Sequence, residues 1–435
     1  MVLKGKYKML KKKRLDFIDL KYKPRNDLIC LFRINPARNL SVKECANTVA
    51  LESSVGTWTD VAKSKLDYVE KLKARVFSIK KNKVKIAYPE ELFEKDNVPN
   101  ILSSIAGNIF GMKAVKTIRL EDVSFPKNIL KSFSGPKYGI EGIRKMMKIK
   151  SRPLVGTIIK PKLGLNVKHH AQSAYESWKG GCDIVKDDEN LSSQKFNEFE
   201  KRLSKTLEMA DKAEQETGEK KAYLVNVTAE TKEMLKRAQL VEKMGGKYIM
   251  IDILTAGWAA LQTLREANFK TAIHAHRAMH AAFDRNPEHG ISMMVLVDFA
   301  RLIGVDQIHI GTGIGKLEGK IEDIEDLVEE ISMKNVKVAH NRLKQRWEKI
   351  KSTLPVSSGG LHPGHVPFLI KNLGKNLVIQ AGGGIHGHPL GSEAGAKAMR
   401  QAVDAVLKKV SLHEYAKTHV ELEEALKKWK LPRKK

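Results

Sequence analysis

The chain has 435 residues, of which 42% are hydrophobic and 29% charged, which is typical of a globular protein rather than a disordered or fibrous one. The longest stretch without Asp, Glu, Lys or Arg, residues 353–370, holds three Pro, three Gly and two His, and this excludes a membrane span there. Charges at Lys11 to Arg14 interrupt the basic N-terminus before any apolar run of signal-peptide length, so we expect a cytoplasmic protein. The net charge of +28 favours polyanion binding or the steering of phosphorylated substrates.

The first 140 residues mix strand and helix patterns without regular alternation. Asp27–Ile34 and Arg75–Ile79 are strand-like, whereas Val42–Leu51 and Ile101–Phe110 have helical periodicity. We therefore expect residues 1–140 to form a separate, ferredoxin-like α+β domain. The three widely spaced cysteines give neither a disulfide framework nor a zinc pattern, so we expect them to be reduced and buried: Cys30, Cys45 and Cys182.

From Leu154 onward, apolar runs of strand length alternate with amphipathic segments of helix length, such as Phe196–Glu216 and Ile291–Leu302. Eight such units in roughly 250 residues predict a closed (β/α)₈ barrel, which we assign to residues 141–410. Residues 411–435 should add one or two short helices and a basic tail. The predicted strands are Leu154–Lys162, Asp183–Glu189, Ala222–Ala229, Tyr248–Ala256, Thr271–Arg277, Gln307–Thr312, Leu354–Gly359 and Leu377–Gly382.

Polar residues collect at the C-terminal ends of these strands, which is where the active sites of such barrels lie. The first strand ends in Thr157, Lys160 and Lys162, and the fifth in His274, His276, Arg277 and His280. The spacing of His276 and His280 can bind zinc on a helix, but no Glu follows His276, so a zincin motif is absent. A single histidine can equally be a hydrogen-bonded core residue.

The second strand ends in Lys186-Asp187-Asp188-Glu189. Asp188 and Glu189 are hard oxygen donors suited to Mg²⁺. A free ammonium at Lys186 would repel the cation, so Lys186 is either a counter-charge without metal or a lysine converted by CO₂ into an anionic carbamate. The alternative is an ordinary surface turn.

Glycines follow the last three strands, where backbone N–H groups can approach a phosphate closely. Gly359, Gly360, Gly382 and Gly383 fit the phosphate site that recurs in this architecture, although they could be ordinary turns. Arg277 and His309 could hold a second phosphate, and two such sites imply a bisphosphate. Lys316 lies in a Gly-rich loop that could act as a cationic lid, or it could be a solvated lysine.

Taken together, these segments closely resemble the large subunit of ribulose-1,5-bisphosphate carboxylase/oxygenase over nearly the whole chain. Two N-terminal segments, 52–58 and 107–111, resemble those that such enzymes lend to a neighbouring subunit's active site. The barrel segments that carry the resemblance are residues 156–164, 186–190, 276–280, 309–316, 358–360 and 382–389.

The resemblance implies a role for each catalytic residue. Carbamylated Lys186 would bind Mg²⁺ with Asp188 and Glu189 and remove the substrate's C3 proton. Lys316 would stabilise the new carboxylate after CO₂ attacks C2, His276 would assist the addition of water, and Lys160 would protonate the final carbanion. Two molecules of 3-phosphoglycerate would result, or one of these and one of 2-phosphoglycolate when O₂ reacts instead.

The remaining implied roles concern substrate binding. Lys162 would orient Lys160 or tune its pKa, and Glu52 from the partner chain would hold Lys316 when the lid closes. One phosphate would bind Arg277 and His309. The other phosphate would bind a second set of residues: Thr57, Trp58, Gly359, Gly360, Gly382 and Gly383. The sugar hydroxyls would contact Thr157, Asn108 and Ser358.

The motifs look more like archaeal-type members of the family than plant ones. Such members work as homodimers or larger assemblies of dimers without small subunits, and they take ribulose bisphosphate from the breakdown of nucleoside monophosphates such as AMP. Two other functions remain open: a carboxylase-like enolase or isomerase of sulfur metabolism, which typically lacks several of these residues, and nucleic-acid binding, which rests on the charge alone because no nucleic-acid motif is present. We expect no membrane partner.

Overall fold

The structure is a computed structural model, and it describes residues 16–57, 59, 66–314 and 320–429. The chain divides into two compact units. The N-terminal unit draws on the ranges 1–132, 283–295 and 337–344, and the barrel unit on the ranges 133–282, 296–336 and 345–435. Among the described residues, no helix has both the length and the apolar character needed to cross a membrane.

A five-stranded sheet forms the centre of the N-terminal unit. Its order is Gly290–Ile291, Val115–Ser124, Asp27–Pro36, Lys83–Pro89 and Arg75–Lys80, antiparallel except for the first pair. The sheet confirms both predicted strands and adds Lys83–Pro89 and Val115–Ser124, which the sequence reasoning missed. The helical segments of this unit are Val42–Glu52, Asp67–Lys71, Val98–Ile105 and Lys127–Ser132, with 3₁₀ turns at Glu90–Leu92 and Asn108–Gly111.

Local sequence explains the helix boundaries in this unit. Ser41 and Glu44 form a reciprocal capping box at the start of Val42–Glu52. The prediction of one helix over Ile101–Phe110 was wrong, because the chain leaves the helical conformation at Ala106 (φ −137°, ψ 23°) and bends at Gly107 (φ −78°, ψ −111°). A Cβ there would lie 2.2 Å from the carbonyl oxygen of Ser103, so only glycine fits this bend.

Eight parallel strands close the predicted barrel, and each pairs with its neighbours in chain order. Most predicted strands extended too far at their C-terminal ends. In the case of Tyr248–Ala256, residues Ile253–Ala256 form a helical turn instead. The observed strands are Leu154–Ile158, Ile184–Lys186, Ala222–Asn226, Tyr248–Asp252, Ala272–His276, Gln307–His309, Leu354–Ser358 and Val378–Gln380.

Helices follow the barrel strands and cover them. Asn166 accepts a hydrogen bond from the His169 N–H to cap Val167–Lys179, and Gly218 ends Phe199–Thr217 in the left-handed conformation. The C-terminal segment forms the two short helices expected. From residue 133 onward the helices are Gly139–Met147, Val167–Lys179, Phe199–Thr217, Thr231–Lys243, Ile253–Ala256, Trp258–Glu266, Ala281–Asp284, Met293–Ile303, Ile321–Ser332, Val366–Leu373, Gly383–His386, Gly391–Leu407, Leu412–Ala416 and Val420–Lys428, with a 3₁₀ turn at Pro363–His365 and a ribbon of Asn335–Val336 with Gln345–Arg346.

The barrel interior changes character along its axis. At the N-terminal ends of the strands, Leu154, Ile184 and Leu354 form an apolar cluster that helix Gly139–Met147 covers. Because side chains alternate along a strand, residues two positions further on face the same interior. Those positions include Lys186 and His274, so the polar site begins directly above the apolar core. The three cysteines are buried and free, as expected.

Candidate active site

The parallel barrel brings most of the predicted residues to one end. Lys186, His276, His309 and Ser358 are the last residues of their strands, and Asp188, Glu189 and Gly382 lie within the first few residues after strand ends. Since all eight strands run in the same direction, these side chains share one mouth of the barrel. This location agrees with the sequence-based expectation.

Lys186 is a buried amine at the floor of this mouth, with 1% of its surface exposed. Its Nζ lies 2.7 Å from the carbonyl oxygen of Asp187, 3.2 Å from the sulfur of Met250 and 3.9 Å from Oε2 of Glu189. Burial lowers the pKa of Lys186, and the neighbouring carboxylates only partly oppose this. The alternative of a surface turn is therefore wrong, and the lysine is biased toward the neutral form that can react with CO₂.

The two candidate metal ligands lie beside Lys186. Oδ2 of the buried Asp188 accepts a hydrogen bond of 2.6 Å from Lys160. Oε2 of Glu189 lies 3.7 Å from Nε2 of His276. Burial raises the pKa of Glu189, but its electrostatic interactions with the neighbouring Lys186 and His276 outweigh this and leave the pKa lowered. Both carboxylates are thus suited to binding a cation.

Asp187 anchors this loop from the opposite side. Its carboxylate accepts hydrogen bonds from the Tyr223 hydroxyl (2.5 Å), the Arg202 Nε (3.2 Å) and the backbone N–H of Asn226 (3.0 Å). Burial opposes ionisation, but Arg202 and the hydrogen-bond donors hold the pKa of Asp187 well below its usual range. Asp187 therefore fixes the backbone between Lys186 and Asp188 rather than pointing into the mouth.

Asp252 is a site residue that the sequence reasoning missed. Its Oδ1 lies 2.6 Å from Nδ1 of His276, and its backbone N–H donates to the Thr228 hydroxyl at 2.9 Å. The carboxylate thus favours the Nδ1–H tautomer and leaves Nε2 of His276 facing Glu189. The prediction extended the fourth strand to Ala256, which hid Asp252 inside it. An acidic residue in the apolar run Tyr-Ile-Met-Ile-Asp was the available signal.

A chain of buried hydrogen bonds runs from the mouth into the barrel. The Ser358 hydroxyl lies 2.6 Å from Nδ1 of His309, whose Nε2 lies 2.9 Å from Nε2 of His274, and Nδ1 of His274 lies 2.9 Å from Oε1 of Gln307. Because Oε1 only accepts, His274 donates through Nδ1, His309 donates through Nε2, and Ser358 donates to His309. Burial lowers the pKa of His274 to about 3, so the chain is uncharged.

The predicted phosphate-binding groups are only partly assembled. Both ring nitrogens of His309 are engaged within the chain of hydrogen bonds just described. Nη2 of Arg277 lies beside Gly311, where an added Cβ would come within 3.1 Å of it and where φ is +99°. Gly359 and Gly360 also have positive φ values. Phosphate binding at these positions stays a prediction.

Some predicted residues lie elsewhere. The structure does not bring Thr157 into the mouth: strand alternation turns it toward the helices, where its buried hydroxyl donates to the Ala381 carbonyl at 2.7 Å and lies 3.0 Å from Nε2 of His386. Lys162 contacts Asn190 at 3.3 Å rather than Lys160.

The predicted residues of the N-terminal unit belong to neighbouring elements. Glu52 ends the helix Val42–Glu52, which contacts the 3₁₀ turn that begins at Asn108. Thr57 lies a few residues after that helix. Trp58 and Lys316 lie outside the described residues.

Comparison with known proteins identifies relatives of the whole chain. The family models for the ribulose bisphosphate carboxylase large chain match residues 16–129 (N-terminal domain) and 139–429 (catalytic domain). The chain is 50% identical over 424 residues to the ribulose bisphosphate carboxylase of Methanosarcina mazei, covering 96% of this chain and 99% of that one. It is 49% identical over 427 residues to the ribulose bisphosphate carboxylase of Methanocaldococcus jannaschii, covering 96% of this chain and 100% of that one.

Solved structures give the same result. The dimeric archaeal Rubisco from Hyperthermus butylicus aligns with a TM-score of 0.89 and 48% identity, covering 95% of this chain and 98% of that one. The octameric enzyme from Pyrococcus horikoshii, solved with sulfate, aligns with a TM-score of 0.89 and 47% identity, covering 95% and 96%.

Proposed function

The chain belongs to the ribulose bisphosphate carboxylase large-chain family, and we propose that it adds CO₂ or O₂ to the enediolate of ribulose 1,5-bisphosphate. The observation that carries this proposal is Lys186, a fully buried amine of lowered pKa beside two carboxylates at the barrel mouth. The named relatives are carboxylases, so the enolase or isomerase alternative is not favoured.

The residues around Lys186 fit a magnesium site if the lysine is carbamylated. The described residues contain no group of three His, Cys, Asp or Glu side chains arranged for a metal. The carbamate would supply the missing oxygen donor to join Asp188 and Glu189, and it would turn the amine into an anion that attracts the cation. When bound, Mg²⁺ would act as a Lewis acid on the substrate oxygens at C2 and C3.

The protein groups would then act in sequence. The carbamate oxygen of Lys186 takes the C3 proton, and a new bond forms between C2 and CO₂, whose developing carboxylate Lys316 stabilises. His276, held by Asp252, assists the addition of water at C3, and the C2–C3 bond breaks. Lys160 gives its proton to the resulting carbanion, which requires it to leave Asp188.

The substrate's two phosphates would bind at opposite sides of the mouth. Arg277 and His309 would take one phosphate, and the backbone of Gly359, Gly360, Gly382 and Gly383 the other. For His309 to donate to a phosphate in this tautomer, its Nε2–H must leave His274. In the other tautomer, its Nδ1–H would have to leave Ser358, which would free the Ser358 hydroxyl to contact a sugar hydroxyl.

The direct test is fixation of ¹⁴CO₂ that depends on ribulose bisphosphate. Preincubation with CO₂ and Mg²⁺ should raise the initial rate, and more so at mildly alkaline pH, because only the neutral amine of Lys186 forms a carbamate. The matched control is Lys205→Ala, which removes a partly exposed lysine of helix Phe199–Thr217 and should keep the activation. Equal rates with and without preincubation would exclude the carbamate, and no fixation at all would exclude the function.

We further propose that the smallest active unit is a homodimer without small subunits. Relatives of this chain are described as dimeric and octameric. Residues 1–140, through Glu52, Thr57, Trp58 and Asn108, would complete the site of the neighbouring barrel. Heterodimers of a Lys186→Ala chain with an Asn108→Ala chain, each inactive alone, should then recover activity at one of their two sites. Verified heterodimers without activity would exclude a shared site.

The source of the substrate is a separate proposal. By similarity to archaeal enzymes, the ribulose bisphosphate would come from the breakdown of AMP and other nucleoside monophosphates rather than from a photosynthetic cycle. Production of ribulose bisphosphate from AMP in extracts of the source cells, with its consumption lost when this chain is depleted, would test it.

A further inference from the structure

A cavity of about 570 Å³ lies at the other end of the barrel. It is lined by the start of helix Gly139–Met147, the end of helix Ile321–Ser332 and residues 348–352, which lead into the seventh strand. Because helix Gly139–Met147 packs on the N-terminal ends of the strands, the cavity is separated from the candidate active site by the apolar core. Its volume is within the range of small-molecule sites.

The lining of this cavity is strongly basic. Six Lys or Arg side chains line it against two Glu. One of these two, Glu348, already pairs with Arg346 at 3.2 Å. Lys145, Lys334 and Lys349 are exposed at the rim, and none of their side-chain ammonium groups has an ion-pair or hydrogen-bond partner within the described ranges. The cavity therefore has several cations available to an anionic ligand.

Arg301 adds a buried cation to the cavity wall. Only 1% of it is exposed, and its guanidinium lies 4.3 Å from the Trp347 ring. Its Nε donates to the Lys351 carbonyl at 3.1 Å, and its Nη1 donates to the carbonyls of Met333 (2.9 Å) and Glu330. Burial lowers its pKa to about 9, against the opposing charges of Glu330 and Asp298.

The hydrogen bonds of Arg301 leave part of its donor capacity unused. Within the described residues, the Arg301 side chain donates only to backbone carbonyls, through Nε and Nη1. Its Nη2 donates no hydrogen bond to a described residue. Arginine is rarely buried without a carboxylate or phosphate to match its planar donor fork. A fixed guanidinium in the wall of a cavity ringed by lysines is an arrangement well suited to a phosphate group.

We propose that this cavity is a second anion site, which takes a phosphorylated small molecule. A phosphate oxygen would accept from Nη2 of Arg301, and further negative charge would lie among Lys145, Lys334 and Lys349. The cavity's volume and concave shape favour a compact ligand over a nucleic-acid strand. Arg301 already joins three segments of chain, so an occupied site should stabilise the barrel unit.

The experiment uses pyrophosphate as the probe, the full-length protein and constant ionic strength. The background is Arg277→Ala, which weakens anion binding at the active site. Isothermal titration should still detect one pyrophosphate per chain, and thermal unfolding should shift upward with its concentration. Replacing Lys145, Lys334 and Lys349 together by Gln should weaken this binding by about tenfold or more. In the otherwise unaltered protein, the same triple substitution should leave ¹⁴CO₂ fixation unchanged.

A matched control separates a built site from general charge. Lys201 and Lys212 are exposed and Lys205 is partly exposed on helix Phe199–Thr217, and replacing all three by Gln removes the same charge. Equal weakening in the two triple variants would overturn the proposal, as would no pyrophosphate binding in the Arg277→Ala background. Competition of a short single-stranded RNA with pyrophosphate for the cavity is tested in both triple variants. If the RNA displaces pyrophosphate from the helix variant but not from the variant that lacks the three cavity lysines, the cavity binds nucleic acid instead. Arg301→Lys, in a variant shown to be folded, should weaken the binding of pyrophosphate more than that of chloride, because lysine lacks the planar donor fork of arginine.

Discussion

The two ends of the barrel use the same strands for different purposes. Near its N-terminus, each strand places apolar side chains such as Ile184 and Ala272 inside, and these pack into a buried apolar cluster. Two residues further on, the same strands place Lys186 and His274 inside, both fully buried. Burial is thus common to both ends, but at one end it supplies stability and at the other it shifts protonation equilibria.

The largest expected effect tests whether the buried amine at the polar end is needed before any other step. Lys186→Ala should abolish both the exchange of the substrate's C3 hydrogen with solvent and carboxylation, each by about 1,000-fold or more. Lys316→Ala should retain the exchange and lose only carboxylation, because Lys316 meets charge that develops after enolisation.

Both rates should be measured on variants that fold and bind the substrate, with Lys205→Ala as the control for the loss of a lysine. If Lys316→Ala loses exchange as completely as Lys186→Ala, the lid takes part in the first proton transfer and the division of roles is wrong.

A smaller effect is expected from Asp252, which orients His276 from within the barrel wall. Asp252→Asn keeps the shape but removes the charge opposite Nδ1, and carboxylation should fall by about 100-fold while the C3 exchange is largely retained. Because both residues would serve the addition of water, combining Asp252→Asn with His276→Ala should cost little more than His276→Ala alone. Additive losses, or a parallel loss of exchange, would show that Asp252 supports the site in another way.

The sequence predicted which strands and helices form more accurately than where each one ends. It also predicted the barrel end at which the candidate residues collect more accurately than the contacts that each side chain makes. The alternation of apolar runs and helices predicted all eight barrel strands, because each strand is buried on both faces. It could not show that Tyr248–Ala256 divides into a strand and a helical turn, since both are apolar, and Asp252 was missed for that reason. Thr157 was placed in the mouth because nothing in the motif told which side of the strand it faces.

The hydrogen bonds at the polar end of the barrel could not be predicted from the sequence either. His274, His309 and Ser358 lie on three strands, so their contact depends on how these strands are staggered in the barrel. The same holds for the buried Arg301, whose carbonyl partners come from segments up to 50 residues away. Strand periodicity within one segment contains no information on such cross-strand contacts.

The smallest effect on activity is expected at the apolar end. Leu354 is fully buried and begins the strand that ends at Ser358. Leu354→Ala should lower the free energy of unfolding by about 2–5 kcal/mol, through lost transfer energy and the cavity left behind. Its kcat and KM at moderate temperature should stay within about twofold of the unaltered protein, because the cavity opens away from the reacting groups and close packing confines the relaxation. Denaturant unfolding at one fixed protein concentration would measure the first quantity, since subunit association contributes to stability. A large loss of activity in a variant shown to be folded would mean that the apolar cluster sets the geometry of the mouth, and the separation between the two ends would then fail.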